Sequence, residues 1–480
     1  MPKFIPNLMW RYYPGLTALL FECVMLAWPF NAAGSNDPFG TEKNVTTGQF
    51  ARSSDAALCP KDKIKTPLTL ADVVDLTLCN NPQTRSLWAN ARTQAAQMGS
   101  SMSSSLPTLS GPISISGSRN KAGGTTTENT QESIGVTASY LLYDFGGRDA
   151  NVENARQLLA AANATRDETL QGNFLTAVQF YYALLSARAS VQSFQAAEET
   201  ANKSLDAAHA RYKAGTATLA DRLQAQTAMS QAALNRIRAM GDVATAQGTL
   251  ANIMGFDANQ PFELAPASEP KPDPVAERDI GKLIADARQK RPGLLAADAQ
   301  IKAAEAQLAA TKSSGLPAIT LDGGLSQAES HGTGVGGTSR NGNLGVSVRV
   351  PLFTGYRDTY QNRAAQAQLE GKVAERDRIA NQVALEVWKS YQTLLTNSQA
   401  LRAADDLLAS AEQSEKMASG RYQAGVGSIL DALTAQSALA SARQQRVAAL
   451  YNFQSSKFTL AQAIGQLDLS LIGTNMDPAR

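Results

Sequence analysis

The stretch Arg211-Tyr212-Lys213-Ala214-Gly215 returns 210 positions later as Arg421-Tyr422-Gln423-Ala424-Gly425. Around it, residues 210–255 and 420–465 align without a gap, and sixteen of these 46 positions are identical. A constant offset over such a length indicates an internal duplication, which has to be recognised before any fold is assigned. The chain is therefore interpreted as two tandem copies of one unit.

We divide the 480 residues into two repeats, 69–260 and 279–466, joined by a Pro-rich linker at 261–278. An N-terminal segment at 35–68 and a C-terminal tail at 467–480 flank them. Each repeat is predicted to contain a first helix, a β-hairpin, a very long helix and a last helix. The helices are expected at 70–104, 148–209 and 218–254, and again from about 280, 357 and 428; the hairpins are expected at 110–143 and 317–353.

Residues 1–34 have the order of a secretory signal peptide: basic residues, an apolar run at 16–28, then small residues. The run is shorter than the roughly 20 residues that a membrane-spanning helix needs, and Glu22 interrupts it. An N-terminal anchor helix is the alternative. An exported chain meets an oxidising compartment, so we predict a disulfide between Cys59 and Cys79, with two unrelated thiols as the alternative.

Composition argues against several classes of protein. The chain has 44 basic and 42 acidic residues, which gives no electrostatic reason to expect nucleic acid as a partner. Its two histidines, His209 and His331, lie far apart without other ligands at metal spacing. The glycine-rich segment 332–337 matches a dinucleotide fingerprint but lacks the strand-turn-helix context. We therefore expect no enzyme activity, no metal and no cofactor.

Two pairs of segments alternate apolar and polar residues with the period of two that is typical of β-strands. In the first repeat the alternation runs through 134–142, with a partner strand around 113–118. In the second it runs through 344–350, with a partner around 319–326. Each hairpin is thus predicted to have one apolar and one polar face.

We expect loops at 120–131 and 330–343, which are rich in Gly, Thr, Ser and Asn. Strands of about nine to eleven residues then remain, the length that crosses a bilayer when tilted. A soluble β-sandwich would also explain the alternation, but only four strands are predicted per chain, which is few for a sandwich. Four strands cannot close a barrel, and open strand edges in lipid would leave unpaired backbone groups. Strands in a membrane would therefore require several chains to share one barrel.

The helix predicted at 148–209 would be about 90 Å long at roughly 1.5 Å per residue, too long for an ordinary globular domain. In the last helix, the positions from Leu433 to Phe458 that are spaced by four and three hold many small and polar side chains. This pattern does not favour a leucine-zipper dimer. It favours a wall of closely approaching helices, with a plain helical bundle as the alternative.

Together these residues resemble the TolC-like outer-membrane efflux and secretion channels, over about 69–465. The resemblance rests on the tandem repeat, Asn81-Pro82 and Arg291-Pro292, the strand ends 142–147 and 351–355, and the two Arg-Tyr-x-Ala-Gly turns. It implies a mixed α+β membrane protein of a Gram-negative bacterium. Three chains would share one 12-stranded β-barrel that continues into a long α-helical periplasmic barrel. The partners it implies are a periplasmic adaptor (membrane fusion) protein, an inner-membrane ABC or other transporter, and outer-membrane lipid.

The resemblance also implies roles for residues at the periplasmic tip. Asp431 resembles an acidic pore-ring residue, and the family's second acidic position is Thr434 here. Asp221 and Tyr422 resemble a hydrogen-bonded pair that holds the tip closed, whereas Gly427 replaces the family's arginine. For Asp221 and Asp431, capping of the following helix is the alternative. The turns expected to dock an adaptor contain Arg211, Tyr212, Gly215, Arg421, Tyr422 and Gly425.

The expected function is that of a passive outer-membrane exit duct in type I secretion or drug efflux. The sequence has no P-loop or other energy-coupling motif, so the energy for transport must come from a partner. The alternative is a periplasmic coiled-coil scaffold or adaptor without a channel.

Overall fold

The computed structural model describes residues 37–45, 67–265, 279–332 and 336–467. The signal peptide predicted at 1–34, Cys59, most of the linker and nearly all of the C-terminal tail lie outside these ranges. The described chain divides into two compact units. The sheet unit contains residues 37–45, 92–156 and 309–361, and the helical unit contains the other described residues.

The two predicted repeats contain their helices and hairpins in the same order, with one additional short strand in the first. The first repeat contains α1 (Leu70–Asn80), α2 (Pro82–Ser103), β1 (Thr108–Ser110), β2 (Ile113–Ala122), β3 (Thr125–Tyr143), α3 (Gly147–Lys213) and α4 (Leu219–Ile253). The second contains α5 (Ile280–Lys290), α6 (Pro292–Ser313), β4 (Ala318–Gly332), β5 (Gly337–Arg349), α7 (Arg357–Gln423) and α8 (Ile429–Ala463).

The first helix of each repeat is interrupted, which corrects the prediction of one continuous helix. Asn81 separates α1 from α2 with extended backbone angles of −60° and 125°. Arg291 separates α5 from α6 in nearly the same conformation, −70° and 121°. In both places the next residue is proline, whose ring disfavours the helical conformation in the residue before it. The proline then starts a new helix, a position it tolerates well.

The strands are longer than predicted, and the predicted loop at 120–131 is wrong. β3 has 19 residues, β4 has 15 and β5 has 13. The first hairpin turns at Gly123 and Gly124, with φ values of 58° and 87°. Two consecutive positive φ values are what a tight two-residue hairpin turn requires. The threonines beyond it are β-branched residues that favour strand, so the polar segment continues the ladder. Most of 330–343 is also strand, on both sides of a gap at 333–335.

All strands of the sheet unit belong to one antiparallel sheet. β3 pairs with β4 and β4 pairs with β5, while both β1 and β2 pair with β3. β1 and β2 flank Gly111-Pro112, and proline cannot donate a ladder hydrogen bond. Within the described residues, β2 and β5 are edge strands with a neighbour on one side only. The sheet of a single chain is therefore open.

The two faces of this sheet differ in polarity. Hydroxyl groups meet on one face, where Ser114 and Ser133 lie 2.7 Å apart and Asp322 accepts a 2.7 Å hydrogen bond from Ser139. The opposite face is apolar and strongly exposed, as Leu325 at 72% and Leu344 at 80% show. An apolar face of this kind marks an interaction surface.

Two large apolar clusters form most of the core of the helical unit in the described residues. One surrounds Phe174 and Leu250 and contains Phe458 of α8. The other surrounds Val387 and contains Phe453, also of α8. Outside the helices, Leu68 donates a 2.8 Å backbone hydrogen bond to Glu263, which ties the two ends of the first repeat together. Of the helices described, none combines the length and apolarity needed to cross a membrane.

Candidate functional site

The turn between α3 and α4 is closed by the backbone and by a capping box. Gly215 has a φ of 74°, and the amide of Thr216 donates to the carbonyl of Arg211 at 3.0 Å. This is the left-handed helix ending that glycine favours. Thr218 then caps α4 by accepting a hydrogen bond from the Asp221 amide, and the Asp221 carboxylate accepts from the Thr218 amide at 2.8 Å.

The turn between α7 and α8 has the same backbone but only half of this cap. Gly425 has a φ of 82°, and the Val426 amide donates to the Arg421 carbonyl at 3.0 Å. The Ser428 hydroxyl accepts from the Asp431 amide at 3.1 Å. In the described part of the chain, no hydrogen bond or ion pair reaches the Asp431 carboxylate.

The two turns meet through Arg211. Its guanidinium donates a 3.0 Å hydrogen bond to the carbonyl of Gln423, the last residue of α7. The same group lies over the Tyr422 ring, with 4.4 Å between its central carbon and the ring centroid. Ala208, Ala225 and Ile429 pack around this contact. Sequence reasoning had assigned Arg211 to an adaptor-docking turn and missed that it joins the two repeats.

The pairing predicted between Asp221 and Tyr422 does not form inside one chain. The Asp221 carboxylate is occupied by Thr218, through the amide and the hydroxyl. The Tyr422 hydroxyl is buried and has no hydrogen-bond partner among the described residues. Capping, the alternative for Asp221, accounts for its position. A buried hydroxyl without a partner is unfavourable, so a bond from Tyr422 to a second copy of the chain stays a prediction.

Gly427 occupies a position where the chain passes close to itself. A Cβ atom at this residue would lie 3.0 Å from the Cβ of Arg421 and 3.1 Å from the backbone nitrogen of Tyr422. Contacts this short would displace the backbone of the turn. A larger residue at Gly427 would therefore require the turn between α7 and α8 to shift.

The two predicted pore residues lie on the first turns of α8. Asp431 and Thr434 are three positions apart, a spacing that places side chains on one face of a helix. Both are exposed, and they flank the buried residue Ala432. Of the other predicted docking residues, Tyr212 and Arg421 are exposed as well. Their roles in a pore or in docking remain predictions.

A buried ion network surrounds the break between α5 and α6. The Arg291 side chain, only 8% exposed, donates to Glu168 of α3 at 3.0 Å and forms an ion pair with Glu386 of α7. It also donates to the carbonyl of Ala463, the last residue of α8. Glu168 in turn accepts from the Gly293 amide at 3.0 Å, which caps α6.

This network joins four helices and was missed at the sequence level. The motif Arg291-Pro292 is visible in the sequence, but the partners of Arg291 lie about one hundred positions away on either side. No local spacing rule connects charged residues at such separations, so only the packed structure could identify Glu168 and Glu386. The equivalent position of the first repeat, Asn81, makes a local contact instead, accepting from the Gln83 amide at 2.8 Å.

The helical unit also contains a groove of about 730 Å³ between α3, α4 and α8. Its walls include Tyr182, Phe194, Arg238, Asp242 and Tyr451. Burial raises the pKa of the Tyr182 hydroxyl well above its ordinary value, so this group stays neutral. The groove thus offers aromatic faces beside two charges of opposite sign.

The remaining site predictions concern cysteine and metal. Cys79 is disulfide-bonded, and Cys59, its predicted partner, lies outside the described residues, so the pairing stays a prediction. In the ranges that the structure describes, no grouping of His, Cys, Asp and Glu side chains could hold a metal ion.

Comparison with known proteins gives one family over most of both predicted repeats. The outer membrane efflux protein family matches residues 73–256 and 283–466. Protein CyaE of Bordetella pertussis is 29% identical over 414 residues, covering 86% of this chain and 87% of that protein. Outer membrane efflux protein BepC of Brucella suis is 26% identical over 396 residues, covering 82% and 84%. Outer membrane protein TolC of Vibrio cholerae is 23% identical over 402 residues, covering 83% and 91%.

Solved structures show the same fold. A crystal structure of the channel CusC superposes with a TM-score of 0.73 at 21% identity, covering 83% of this chain and 92% of CusC. The outer membrane protein VceC of Vibrio cholerae gives 0.71 at 20% identity, covering 82% and 96%. With the family matching both repeats and the fold shared by these channels, the chain belongs to the outer membrane efflux protein family.

Proposed function

We propose that this protein is the outer-membrane exit duct of a tripartite secretion or efflux system. Three copies would share one 12-stranded barrel in the outer membrane and one helical barrel in the periplasm. Substrate would pass passively from an inner-membrane ABC or other transporter and its periplasmic adaptor. The predicted signal peptide, the Cys59–Cys79 disulfide and the repeat boundaries belong to the same proposal.

The open sheet is the observation that carries this proposal. Among the described residues, the edge strands β2 and β5 each have an unpaired row of backbone hydrogen-bonding groups. Its apolar face is exposed, while hydroxyl groups and Asp322 occupy the other face. In lipid, every backbone group must be paired, so such a sheet is viable only when closed by further copies. The apolar face would then contact lipid and the polar face would line the lumen.

The helical turns support a regulated closure of the proposed duct. Three Asp431 carboxylates around one axis would attract cations and favour cation passage through a narrow opening. The carboxylate is free of partners within the described chain, which suits a pore position better than a structural one. Arg211 holds the two turns of one chain together. Opening of the duct would therefore either break this contact or move both turns together.

The names of several relatives fit a role in efflux. They include an outer membrane efflux protein and a toluene efflux pump outer membrane protein, next to TolC and CyaE. No energy-coupling motif occurs in the sequence, so selection of the substrate and supply of energy are assigned to the inner-membrane partner.

The test is single-channel recording of the purified, detergent-extracted oligomer in a planar bilayer. We expect small, cation-selective steps that a multivalent cation blocks when it is added on the side of the helical turns. A folded protein that gives no conductance and is released from membranes without detergent would overturn the duct. That result would support the periplasmic scaffold instead.

A further inference from the structure

The polar face of the sheet carries charge at two positions of the described strands, Asp322 and Arg349. Side chains alternate between the two faces along each strand, and the register of β4 and β5 puts both residues on the same face as Ser347. The other acidic and basic side chains of these strands share the opposite face with Leu325 and Leu344. They are Arg119, Lys121, Glu128, Glu132, Glu329, His331 and Arg340. A charge on the polar face is therefore an exception that needs its own explanation.

Asp322 is held by hydroxyl groups from three strands. Its carboxylate accepts hydrogen bonds from Ser139 of β3 at 2.7 Å, from Thr320 of β4 at 3.0 Å and from Ser347 of β5 at 3.3 Å. Both carboxylate oxygens take part, which fixes the group in one place. In the described part of the chain, no basic side chain pairs with it. Since hydroxyl groups are neutral, the negative charge of Asp322 is positioned but not cancelled.

The hydrogen bonds alone do not require a charged residue at this position. Elsewhere on the same face, neutral hydroxyl pairs connect neighbouring strands, such as Ser114 and Ser133 at 2.7 Å. Ser110 and Thr137 form another such pair at 2.6 Å. An asparagine could also bond the hydroxyls around Asp322, because a hydroxyl group both donates and accepts. A purely structural link between strands would therefore be met by a neutral side chain.

Arg349 places the opposite charge at the end of the sheet. It is the last residue of β5 and lies opposite Ala318, the first residue of β4. Asp322 follows four residues later along β4, a separation of about 13 Å at roughly 3.3 Å per residue. Arg349 is exposed, and its guanidinium has no hydrogen-bond or ion-pair partner within the described ranges. The polar face thus carries an unpaired cation and a fixed anion at two different levels.

We propose that Asp322 and Arg349 form a charge filter in the lumen of the closed sheet. This inference rests on the proposed duct, because it takes the polar face to line the lumen. Symmetric copies of the chain would repeat each residue at one level, so that each residue forms a ring. Rings of acidic side chains favour cations, and rings of basic side chains favour anions. The sheet would then sort ions and charged groups of the cargo independently of Asp431.

The test places a thiol reporter directly opposite Asp322. Gly345 is the partner of Asp322 in the ladder between β4 and β5, and a Cβ atom added at Gly345 would meet no other atom within 4 Å. Gly345→Cys should therefore fold with its side chain on the polar face. Leu344→Cys is the matched control, because Leu344 lies on the apolar face and is 80% exposed. The parent protein, which carries only its own cysteines, gives the background.

The readout is the rate of reaction with two membrane-impermeant thiol reagents of opposite charge. The full oligomer is reconstituted into phospholipid vesicles and treated with a cationic or an anionic methanethiosulfonate. We expect Gly345→Cys to react several-fold faster with the cationic reagent. Adding Asp322→Asn, which keeps the shape and the hydrogen-bonding capacity of the side chain, should lower this rate ratio several-fold. Adding Arg349→Gln should raise it instead.

Charged residues of the opposite face provide the controls for charge removal. Glu329→Gln removes a carboxylate from β4, and Arg340→Gln removes a cation from β5, each on the face of Leu344. Neither change should alter the rate ratio at Gly345→Cys. A ratio that responds equally to charges on both faces would show that the reagents sense the sheet as a whole, which would overturn the filter.

The remaining outcomes separate this inference from the duct. Reaction of Gly345→Cys at a rate ratio that neither Asp322→Asn nor Arg349→Gln changes would overturn the filter but leave the duct intact. Reaction of Leu344→Cys, with none of Gly345→Cys, would mean that the polar face does not line a water-filled lumen. That result would overturn the duct itself. If Asp322→Asn does not assemble, the response to Arg349→Gln still decides the matter.

Ion selectivity of single channels gives a second, independent measurement. Reversal potentials are recorded in a potassium chloride gradient with Asp431→Ala as the background, so that the ring proposed at the tip contributes no charge. Asp322→Asn should shift the reversal potential toward that of chloride, and Arg349→Gln should shift it toward that of potassium. Shifts of the same sign, or none in either variant, would contradict the opposite roles of the two residues.

Discussion

The two helical turns share one backbone and differ in how firmly they are held. In the first, Thr218 and Asp221 form a reciprocal capping box. In the second, Ser428 caps α8, but the Asp431 carboxylate accepts no hydrogen bond from the Ser428 amide. The same aspartate position has thus become structural in one repeat and remains available in the other. One copy of this aspartate therefore stabilises its turn, and the other is available for the predicted pore.

The helix breaks show the opposite division of roles. In the second repeat, Arg291 binds two carboxylates and the end of α8, which fixes four helices to one another. In the first, Asn81 caps only its own helix. The second repeat is therefore firmly anchored at its helix break and less firmly held at its turn.

Removing the anchor should have the largest effect on stability. Arg291→Ala leaves Glu168 and Glu386 without their shared cation, and breaking a buried ion pair costs about 3–5 kcal/mol. Both carboxylates are partly exposed, so we expect the lower end of this range. The matched control is Asn81→Ala, for which loss of a cap costs about 1 kcal/mol. Thermal unfolding of the purified proteins measures both. Equal losses would show that the two breaks do not differ as proposed.

Removing the reciprocal cap should have the next largest effect. Asp221→Ala deletes the carboxylate that accepts from Thr218, and we expect a loss of about 1 kcal/mol by analogy with other caps. Asp221→Glu is the control, because glutamate is common at this position of a capping box. Melting temperature is the measurement. An Asp221→Ala protein as stable as the parent would remove the structural role that distinguishes this turn.

Removing the buried hydroxyl at the second turn should have little effect on stability. Among the described residues the Tyr422 hydroxyl has no partner, so Tyr422→Phe should leave the stability of the single chain unchanged or raise it by up to about 1 kcal/mol. The ring and its contact with Arg211 are retained. Thermal unfolding and resting conductance are measured together. Because a bond from this hydroxyl to a second copy is predicted to hold the tip closed, we expect resting conductance to rise. A conductance equal to that of the parent protein would show that the hydroxyl does not hold the tip.

The smallest effect on stability is expected at Asp431. Asp431→Ala loses only the favourable placement of an acidic group at a helix start, about 0.3–0.5 kcal/mol. Its cation selectivity and its block by multivalent cations should nevertheless fall clearly. The opposite change, Thr434→Asp, adds a carboxylate one turn later and should strengthen both. Unchanged ion selectivity in both variants would remove these two positions from the pore.

Local sequence rules predicted much of this molecule for identifiable reasons. The repeat offset, the strand alternation and the glycine turns depend on residues close together in the chain, whose preferences act within a few positions. The same rules failed where a neighbour changed the outcome. The threonine-rich segment after Gly124 reads as a loop by composition, yet it is strand because β2 and β4 pair with it.

The sequence by itself determined the duplication, the alternating hairpins, the long helices and the family resemblance. Each of these depends on the order and spacing of residue types along the chain. Only the tertiary structure decided which charged and aromatic residues meet. It joined Arg291 to Glu168 and Glu386 and seated Arg211 on Tyr422. These contacts form between residues that are far apart in the sequence. Many other residues could pair with them chemically, and the packing of the long helices selects the ones that do.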